Sequence, residues 1–149
     1  SGRLRGHDNL GYVVGYKGTE LAISKAKETG IAIAGANETW YTGMLSYFAE
    51  MAAAECMVSI IASNCTAWVA PHNAVHGRFG TNPICFGFPS KDVPKIWDIG
   101  TSSIMHAEVM LAERLGQELD EGLAFDESGL PTRDSKSALA GAFAPWGGH

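Results

Sequence analysis

The chain contains the stretch Ile96-Trp97-Asp98-Ile99-Gly100-Thr101-Ser102-Ser103. Its first half is short and apolar, which is typical of a buried strand over Ile96–Ile99. Its second half predicts a turn that opens a helix, because Ser102 or Ser103 could be the N-cap of the helical periodicity that follows. Gly116 predicts the end of that helix. The stretch therefore indicates a fold in which strands lead into helices.

Further strands and helices are predicted outside this stretch. Residues 1–16 are Gly-rich and predict a loop, which leads into a helix over Lys17–Thr29 that Gly30 caps. The other predicted elements are strands over Ile31–Ala36, Met57–Ser63 and Ile84–Phe88, helices over about Gly43–Glu55 and Ser135–Ala142, and a turn over Ser90–Pro94. This order favours an α+β (α/β-like) fold with a mixed sheet flanked by helices, and the loop-rich later half disfavours a regular doubly wound sheet.

The composition indicates one globular domain. The 149 residues carry a net charge of −5, which argues against a nucleic-acid surface because phosphate binding requires clustered Lys and Arg. Three cysteines without a CxxC pair predict reduced thiols in a cytoplasmic protein. His72 and His76 lie in a predicted loop without an acidic partner at metal-binding spacing, so no metal site is predicted. No apolar run reaches the roughly 18 residues of a membrane span, and the chain reads as a segment of a longer protein.

Three turns carry candidate site residues. In the first, Asp98–Ser103, the hydroxyls could bind phosphate or ribose, although helix capping is the commoner role of such residues. Gly80-Thr81-Asn82-Pro83 is either a structured turn or a ligand loop, since Asn before Pro is held out of the helical region. The segment Asn37–Gly43 either presents Tyr41 as a proton donor or packs its aromatic side chains at a domain edge. A GxGxxG fingerprint and a P-loop motif are both absent from the sequence.

Several motifs follow one another in a fixed order. They are Gly30-Ile31-Ala32-Ile33 leading to Gly43 and Tyr47, Val69-Ala70-Pro71, Gly80-Thr81-Asn82-Pro83, Trp97–Ser102, Asp126–Thr132 with Asp134, and Pro145–Gly148. Together they resemble the type-2 malate/L-lactate dehydrogenase family along nearly the whole chain. That family also contains ureidoglycolate and sulfolactate dehydrogenases, diketogulonate reductases and cyclic-imine carboxylate reductases.

The resemblance implies that residues 1–149 are the NAD(P)-binding domain of such an enzyme, truncated at both ends and built on a non-Rossmann mixed sheet. The residues that would hold the ribose and phosphates of NAD or NADP are Asp98, Ile99, Gly100, Thr101 and Ser102. Cys65 stands where the family often has a cofactor-contacting Ser, and Thr81 and Asn82 lie in the turn that shapes the nicotinamide end. Family members are homodimers, so a homodimer is expected for the full-length protein.

Tyr41 stands where many members of that family carry a catalytic His. The implied reaction is hydride transfer between the nicotinamide and a 2-hydroxy or 2-oxo acid, or a cyclic imine carboxylate. Because a phenol is a weaker acid than imidazolium, we expect Tyr41 to orient the substrate while a residue outside this segment carries the proton. Two alternatives stay open: a non-catalytic nucleotide-binding module that retains the fold, and a Rossmann-type dehydrogenase with a degenerate fingerprint.

Overall fold

The computed structural model describes residues 1–146, and the chain divides into two compact units. The first unit comprises Ser1–Ala62 and Ile84–Asp98. The second unit comprises Ser63–Pro83 and the residues from Ile99 onward. Each unit is therefore built from two separate segments of the sequence.

The first unit combines helices with two small sheets. Its elements are β1 (Gly2–Leu10), α1 (Gly11–Thr29), β2 (Ala34–Trp40), α2 (Leu45–Ala54), β3 (Ser59–Ala62), β4 (Ile84–Phe88) and β5 (Lys95–Ile99), of which only the last residue, Ile99, is counted with the second unit. Strands β1 and β2 pair in parallel, whereas β3 pairs antiparallel with β4 in a sheet of order β3-β4-β5. Helix α2 packs its apolar face, including Leu45, Phe48 and Ala49, against Cys85 of β4. Burial raises the pKa of the Cys85 thiol to about 11, with a contribution from the charge of Asp98, so this thiol stays protonated at neutral pH.

The start of the chain differs most from the sequence prediction. The predicted loop over residues 1–16 is wrong, because these residues form β1 and the first turns of α1. Gly11 and Gly15 lower the helix propensity of the segment, but both allow close packing. A Cβ on Gly11 would lie 2.7 Å from the Tyr41 carbonyl oxygen, and a Cβ on Gly15 would lie 2.7 Å from Phe48 Cζ. Packing against distant residues therefore outweighs the local signal.

The second unit combines short helices with very short strands. Its elements are α3 (His106–Leu115), β6 (Ala124–Phe125), β7 (Pro131–Thr132), α4 (Ser135–Ala140) and β8 (Ala142–Phe143). The three strands form an antiparallel sheet of order β7-β6-β8. The core of this unit consists of Val109, Leu119, Ala124, Ala138 and Phe143. The short strands are fixed by this core, and the sequence pattern did not indicate them.

The predicted N-cap of the third helix is wrong. Helix α3 begins at His106 with Met105 as the N-cap residue, whereas Ser102 or Ser103 was expected there. The side chain of Glu108 accepts the Met105 N–H at 2.8 Å. The Ser103 hydroxyl instead donates to the Ala144 carbonyl oxygen at 3.0 Å, which ties the turn to the far end of the chain.

The other predicted elements agree more closely. Gly30 and Gly116 end α1 and α3 with left-handed φ angles of 80° and 63°, as expected. The strand Ile84–Phe88 is confirmed, but β2 begins at Ala34 instead of Ile31. Parallel and antiparallel pairs occur beside helices, so the α+β (α/β-like), non-Rossmann prediction is confirmed, with the strands distributed over three sheets. Among residues 1–146, no helix has the length and apolarity to cross a membrane.

Candidate functional site

Cys65, Thr81 and Asn82 form one hydrogen-bonded group in the second unit. The Cys65 N–H donates to Asn82 Oδ1 at 3.2 Å, and the Thr81 N–H donates to Cys65 Sγ at 3.1 Å. Cys65 Sγ and Thr81 Oγ1 share another hydrogen bond of 3.1 Å. Asn82 has a φ of 27°, a positive value that Asn adopts more readily than most residues. The structure therefore brings together three residues that the resemblance assigned to the cofactor.

Thr101 joins this group from the turn after β5. Its N–H and its hydroxyl both donate to the Thr81 carbonyl oxygen, at 2.8 and 3.0 Å. We call Cys65, Thr81, Asn82 and Thr101 the polar cluster. Thr81 is buried, whereas Cys65 and Thr101 are exposed, so the cluster has a side that a ligand can reach. Gly80 is enclosed by it, since a Cβ there would lie 2.6 Å from Asn82 Oδ1, Cys65 O and Cys65 Sγ.

The remaining residues of the predicted cofactor turn are less accessible. Ser102 is buried, and its hydroxyl lies 3.8 Å from Met105 Sδ. A Cβ on Gly100 would lie 2.6 Å from the same sulfur, and Ile99 is half-buried at the end of β5. Because α3 begins only at His106, this turn does not supply the unpaired N–H groups of a helix N-terminus. A helix N-terminus therefore does not support phosphate binding at this turn, and the role of these residues in binding the cofactor stays a prediction.

Asp98 lies in the first unit, near the end of β5. Its Oδ2 accepts the Ser46 N–H at 2.7 Å and so caps α2, whose N-cap residue Met44 makes no side-chain cap hydrogen bond. The carboxylate is exposed and can accept further hydrogen bonds. It borders a cavity of about 630 Å³ whose other lining residues are Ser46, Glu50, Val93, Pro94 and Ile96. Two carboxylates and no cation line this cavity, which suits hydroxyl groups better than phosphates.

Tyr41 follows β2 in the first unit. Its φ of 54° lies in the left-handed region, which costs a residue other than glycine about 1–3 kcal/mol and is often found at functional sites. The Tyr41 ring packs at a tilt against Trp40, with 5.2 Å between centroids, and 62% of the residue is exposed. The Trp40 indole N–H donates to the Asp8 carbonyl oxygen at 3.0 Å. Tyr41 is thus both packed on its neighbour and accessible to a ligand, so the two alternatives from the sequence are compatible.

A second cavity in the first unit was not expected from the sequence. We call it the aromatic groove; its volume is about 640 Å³ and its lining residues are Tyr12, Val13, Tyr16, Met44, Tyr47 and Phe48. Phe48 belongs to the core, whereas the other five side chains are at least 37% exposed. Tyr12 and Tyr16 are four residues apart, which is the spacing of neighbours on one helix face. Because residues 1–16 were predicted to be a loop, the sequence analysis did not identify this face.

His106, the first residue of α3, is a second feature that the sequence did not indicate. Its ring stacks on Trp68 with 3.9 Å between centroids and 13° between the ring planes. Burial lowers the pKa of His106 below its ordinary value of 6.5. The neutral imidazole is therefore the form that the folded second unit favours.

This pKa shift predicts that acid destabilises the second unit. Below about pH 6.5 the unfolded chain binds a proton at His106 more readily than the folded chain does, which favours unfolding. The stability that the folded state derives from neutral His106 is therefore complete above that pH and declines below it. We expect the melting temperature to fall more steeply between pH 7 and pH 5 in the parent protein than in His106→Phe, which keeps an aromatic ring on Trp68. Thermal melts by circular dichroism at several pH values check this, and parallel curves for the two proteins would contradict it.

The residues present fit some parts of a nicotinamide nucleotide better than others. Asn82 Oδ1 is occupied by Cys65, which leaves the amide N–H groups as donors, and Thr101 Oγ1 retains acceptor capacity. These amide and hydroxyl groups match ribose hydroxyls and a carboxamide. In the first unit, the Asp98 carboxylate can by itself accept hydrogen bonds from hydroxyl groups. The polar cluster contains no Lys or Arg for a pyrophosphate.

Comparison with known proteins gives one family. The malate/L-lactate dehydrogenase family model matches residues 1–149. The malate/(S)-sulfolactate dehydrogenase of Methanothermus fervidus is 37% identical over 146 residues, which are 98% of this chain and 43% of that protein. A Delta(1)-pyrroline-2-carboxylate/Delta(1)-piperideine-2-carboxylate reductase of Pseudomonas putida is 39% identical over 132 residues, which are 87% of this chain and 39% of that protein.

Solved structures show the same relationship. The crystal structure of a dehydrogenase from Sinorhizobium meliloti superposes with a TM-score of 0.92 at 34% identity, covering 97% of this chain and 42% of that one. The delta1-piperideine-2-carboxylate reductase from Pseudomonas syringae pvar. tomato gives a TM-score of 0.86 at 34% identity, covering 99% and 45%. The chain thus spans less than half the length of the relatives it matches.

Proposed function

This chain belongs to the malate/L-lactate dehydrogenase family, and we propose that residues 1–149 form the NAD(P)-binding part of an oxidoreductase. The proposed reaction is hydride transfer between NAD or NADP and a 2-hydroxy or 2-oxo acid, or a cyclic imine carboxylate. When bound, the nicotinamide ring gives or accepts the hydride. The residues of this chain bind and orient the two reactants, which is how a protein lowers the cost of bringing reacting carbons together.

The observation that carries this proposal is the double hydrogen bond from Thr101 to the Thr81 carbonyl oxygen. It joins two segments that the sequence resemblance assigned to one cofactor. The accessible side of the polar cluster would contact the nucleotide through the Asn82 amide, the Thr101 hydroxyl and Cys65. Ile99, Gly100 and Ser102 would shape the turn behind it, and Asp98 would accept hydrogen bonds from a ribose hydroxyl.

We assign Tyr41 the task of orienting the substrate. Its phenol is exposed, and its backbone is held by the contact with Gly11 and by the anchored Trp40 ring. A hydrogen bond to a developing charge on the substrate typically changes rates by one or more orders of magnitude. Tyr41→Phe in the full-length enzyme is therefore expected to lower kcat/KM by about tenfold while leaving NAD(P)H affinity unchanged. Steady-state kinetics and a cofactor titration check this; an unchanged kcat/KM would remove any role for the hydroxyl.

Three further features belong to the proposal. The enzyme would work as a homodimer, since exposed apolar side chains of the first unit outside the aromatic groove, such as Val58 and Ile60, leave surface to be covered. It would be cytoplasmic, in agreement with three unpaired cysteines. The cofactor would be NAD or NADP, and the polar cluster contains no Arg that would bind a 2′-phosphate.

The experiment that tests the function is a cofactor titration followed by a substrate panel. Binding of NADH and NADPH to the full-length protein is measured by fluorescence, and oxidation of the preferred cofactor is then followed with 2-oxo acids and cyclic imine carboxylates. We expect saturable binding and turnover of at least one substrate. Binding without turnover would favour a non-catalytic nucleotide-binding module, and absence of binding would reject the proposal.

A further inference from the structure

The aromatic groove has the size and the composition of a small-molecule site. Its volume of about 640 Å³ lies within the range of roughly 300–1,000 Å³ that is typical of ligand pockets. Such pockets are lined mainly by apolar and aromatic side chains with a few polar groups. Three tyrosines, one phenylalanine, one methionine and one valine line this one.

The groove adjoins the turn that carries Tyr41. The first turn of α1 packs on this turn so closely that a Cβ on Gly11 would lie 2.7 Å from the Tyr41 carbonyl oxygen. A Cβ on Gly43 would overlap the ring of Tyr12, which lines the groove. The backbone of the turn that carries Tyr41 therefore lies beside the Tyr12 ring, within the first unit.

The charge of the groove restricts what can extend into it. The six lining residues include no Lys, Arg, His, Asp or Glu. Lys17 adjoins Tyr16, with its Nζ 5.4 Å from the ring centroid, but the same Nζ forms an ion pair with Glu20 at 2.8 Å. A second carboxylate or a sulfonate on the substrate would thus lose its hydration in the groove without gaining a cation.

We propose that the aromatic groove is the subsite for the non-reacting part of the substrate, and that this part is apolar. The substrate class is then a 2-oxo acid with an aliphatic or aromatic side chain, or a cyclic imine carboxylate, and the groove disfavours dicarboxylic and sulfonated acids. Tyr12 and Tyr47 determine specificity by packing against the apolar part. This inference rests on the proposed oxidoreductase function and narrows its substrate.

The test compares kcat/KM for several substrates in the full-length enzyme with its preferred cofactor. The panel contains phenylpyruvate, 4-methyl-2-oxopentanoate, Δ1-piperideine-2-carboxylate, pyruvate and oxaloacetate. We expect an apolar member to exceed oxaloacetate by at least tenfold. The specificity ratio is kcat/KM for that apolar substrate divided by kcat/KM for pyruvate. We expect this ratio to fall by roughly tenfold in Tyr12→Ser and in Tyr47→Ser, because the loss of one apolar contact in a pocket has an effect of that size. Ile31→Ser, at a position 79% exposed outside the groove, is the control and should not alter the ratio.

Each alternative result is decisive. The inference is wrong if the enzyme prefers oxaloacetate. It is also wrong if the groove variants lose kcat/KM equally for every substrate. Both results leave the oxidoreductase function intact. If light scattering shows that the groove variants also change the oligomeric mass, a second copy covers the groove and the inference again fails. Circular dichroism confirms that the variants fold, which is expected because Tyr12 and Tyr47 are about half exposed. No turnover with any substrate overturns the function and the inference together.

Discussion

Phe143→Ala is expected to lower the free energy of unfolding of the second unit by about 3–5 kcal/mol, the cost of removing a buried aromatic side chain from a core. Phe143 is 1% exposed and packs with Val109, Leu119, Ala124 and Ala138. Its backbone also holds the segment that leads to the polar cluster, since the Phe143 N–H donates to the Trp68 carbonyl oxygen at 2.8 Å. The substitution leaves a cavity that these neighbours cannot fill.

Chemical denaturation followed by circular dichroism measures this loss. Phe79→Ala is the matched control, because Phe79 lies in the same unit but is 56% exposed. We expect the control to change the unfolding free energy by less than about 1 kcal/mol. Equal effects of the two substitutions would show that the core of the second unit does not centre on Phe143.

Gly80→Ala is expected to weaken NAD(P)H binding by about 10- to 100-fold. The added methyl group would lie 2.6 Å from Asn82 Oδ1 and from both the carbonyl oxygen and the sulfur of Cys65. These atoms cannot all move away while the Cys65 N–H keeps its bond to Asn82. Crowding of this kind typically costs 1–3 kcal/mol, and here the displaced groups are the proposed cofactor contacts.

Gly35→Ala is the control for this prediction. Gly35 lies in β2, and a methyl group there would meet no other part of the described chain within 4 Å. We therefore expect this position to tolerate alanine without loss of affinity. Fluorescence titration of the two variants with NADH and NADPH provides the measurement. If Gly80→Ala binds as tightly as the parent protein and remains folded, the polar cluster is not the nucleotide site.

The sequence predicted the fold where the local pattern agrees with tertiary packing. The apolar run Ile84–Phe88 is β4, and the periodicity after Gly43 gave α2 to within two residues of its start. The sequence prediction failed where tertiary packing alone determines the local structure. Gly11 and Gly15 look like loop residues, yet they are glycines because Tyr41 and Phe48 pack directly against them. Strands β6 and β8 have only two residues each, too few for any alternation to appear.

For the site, the sequence supplied the residues and the structure supplied their contacts. Resemblance selected Cys65, Thr81 and Thr101, but their mutual hydrogen bonds join residues far apart in the chain and leave no local signature. The capping of α2 by Asp98 was missed for the same reason. The aromatic groove was missed because half of its lining belongs to the segment predicted as loop.

The central claim is that the polar cluster contacts the nicotinamide nucleotide, and cysteine labelling with and without cofactor tests it most directly. Cys65 in the polar cluster and Cys56 in the first unit are both exposed, whereas Cys85 is buried. N-ethylmaleimide can therefore reach Cys65 and Cys56. Cys56, which lies outside the polar cluster, is the internal control. We predict that saturating NADH or NADPH slows labelling of Cys65 by at least about tenfold and leaves Cys56 unchanged, as followed by mass spectrometry. Equal labelling rates at Cys65 with and without bound cofactor would contradict the account.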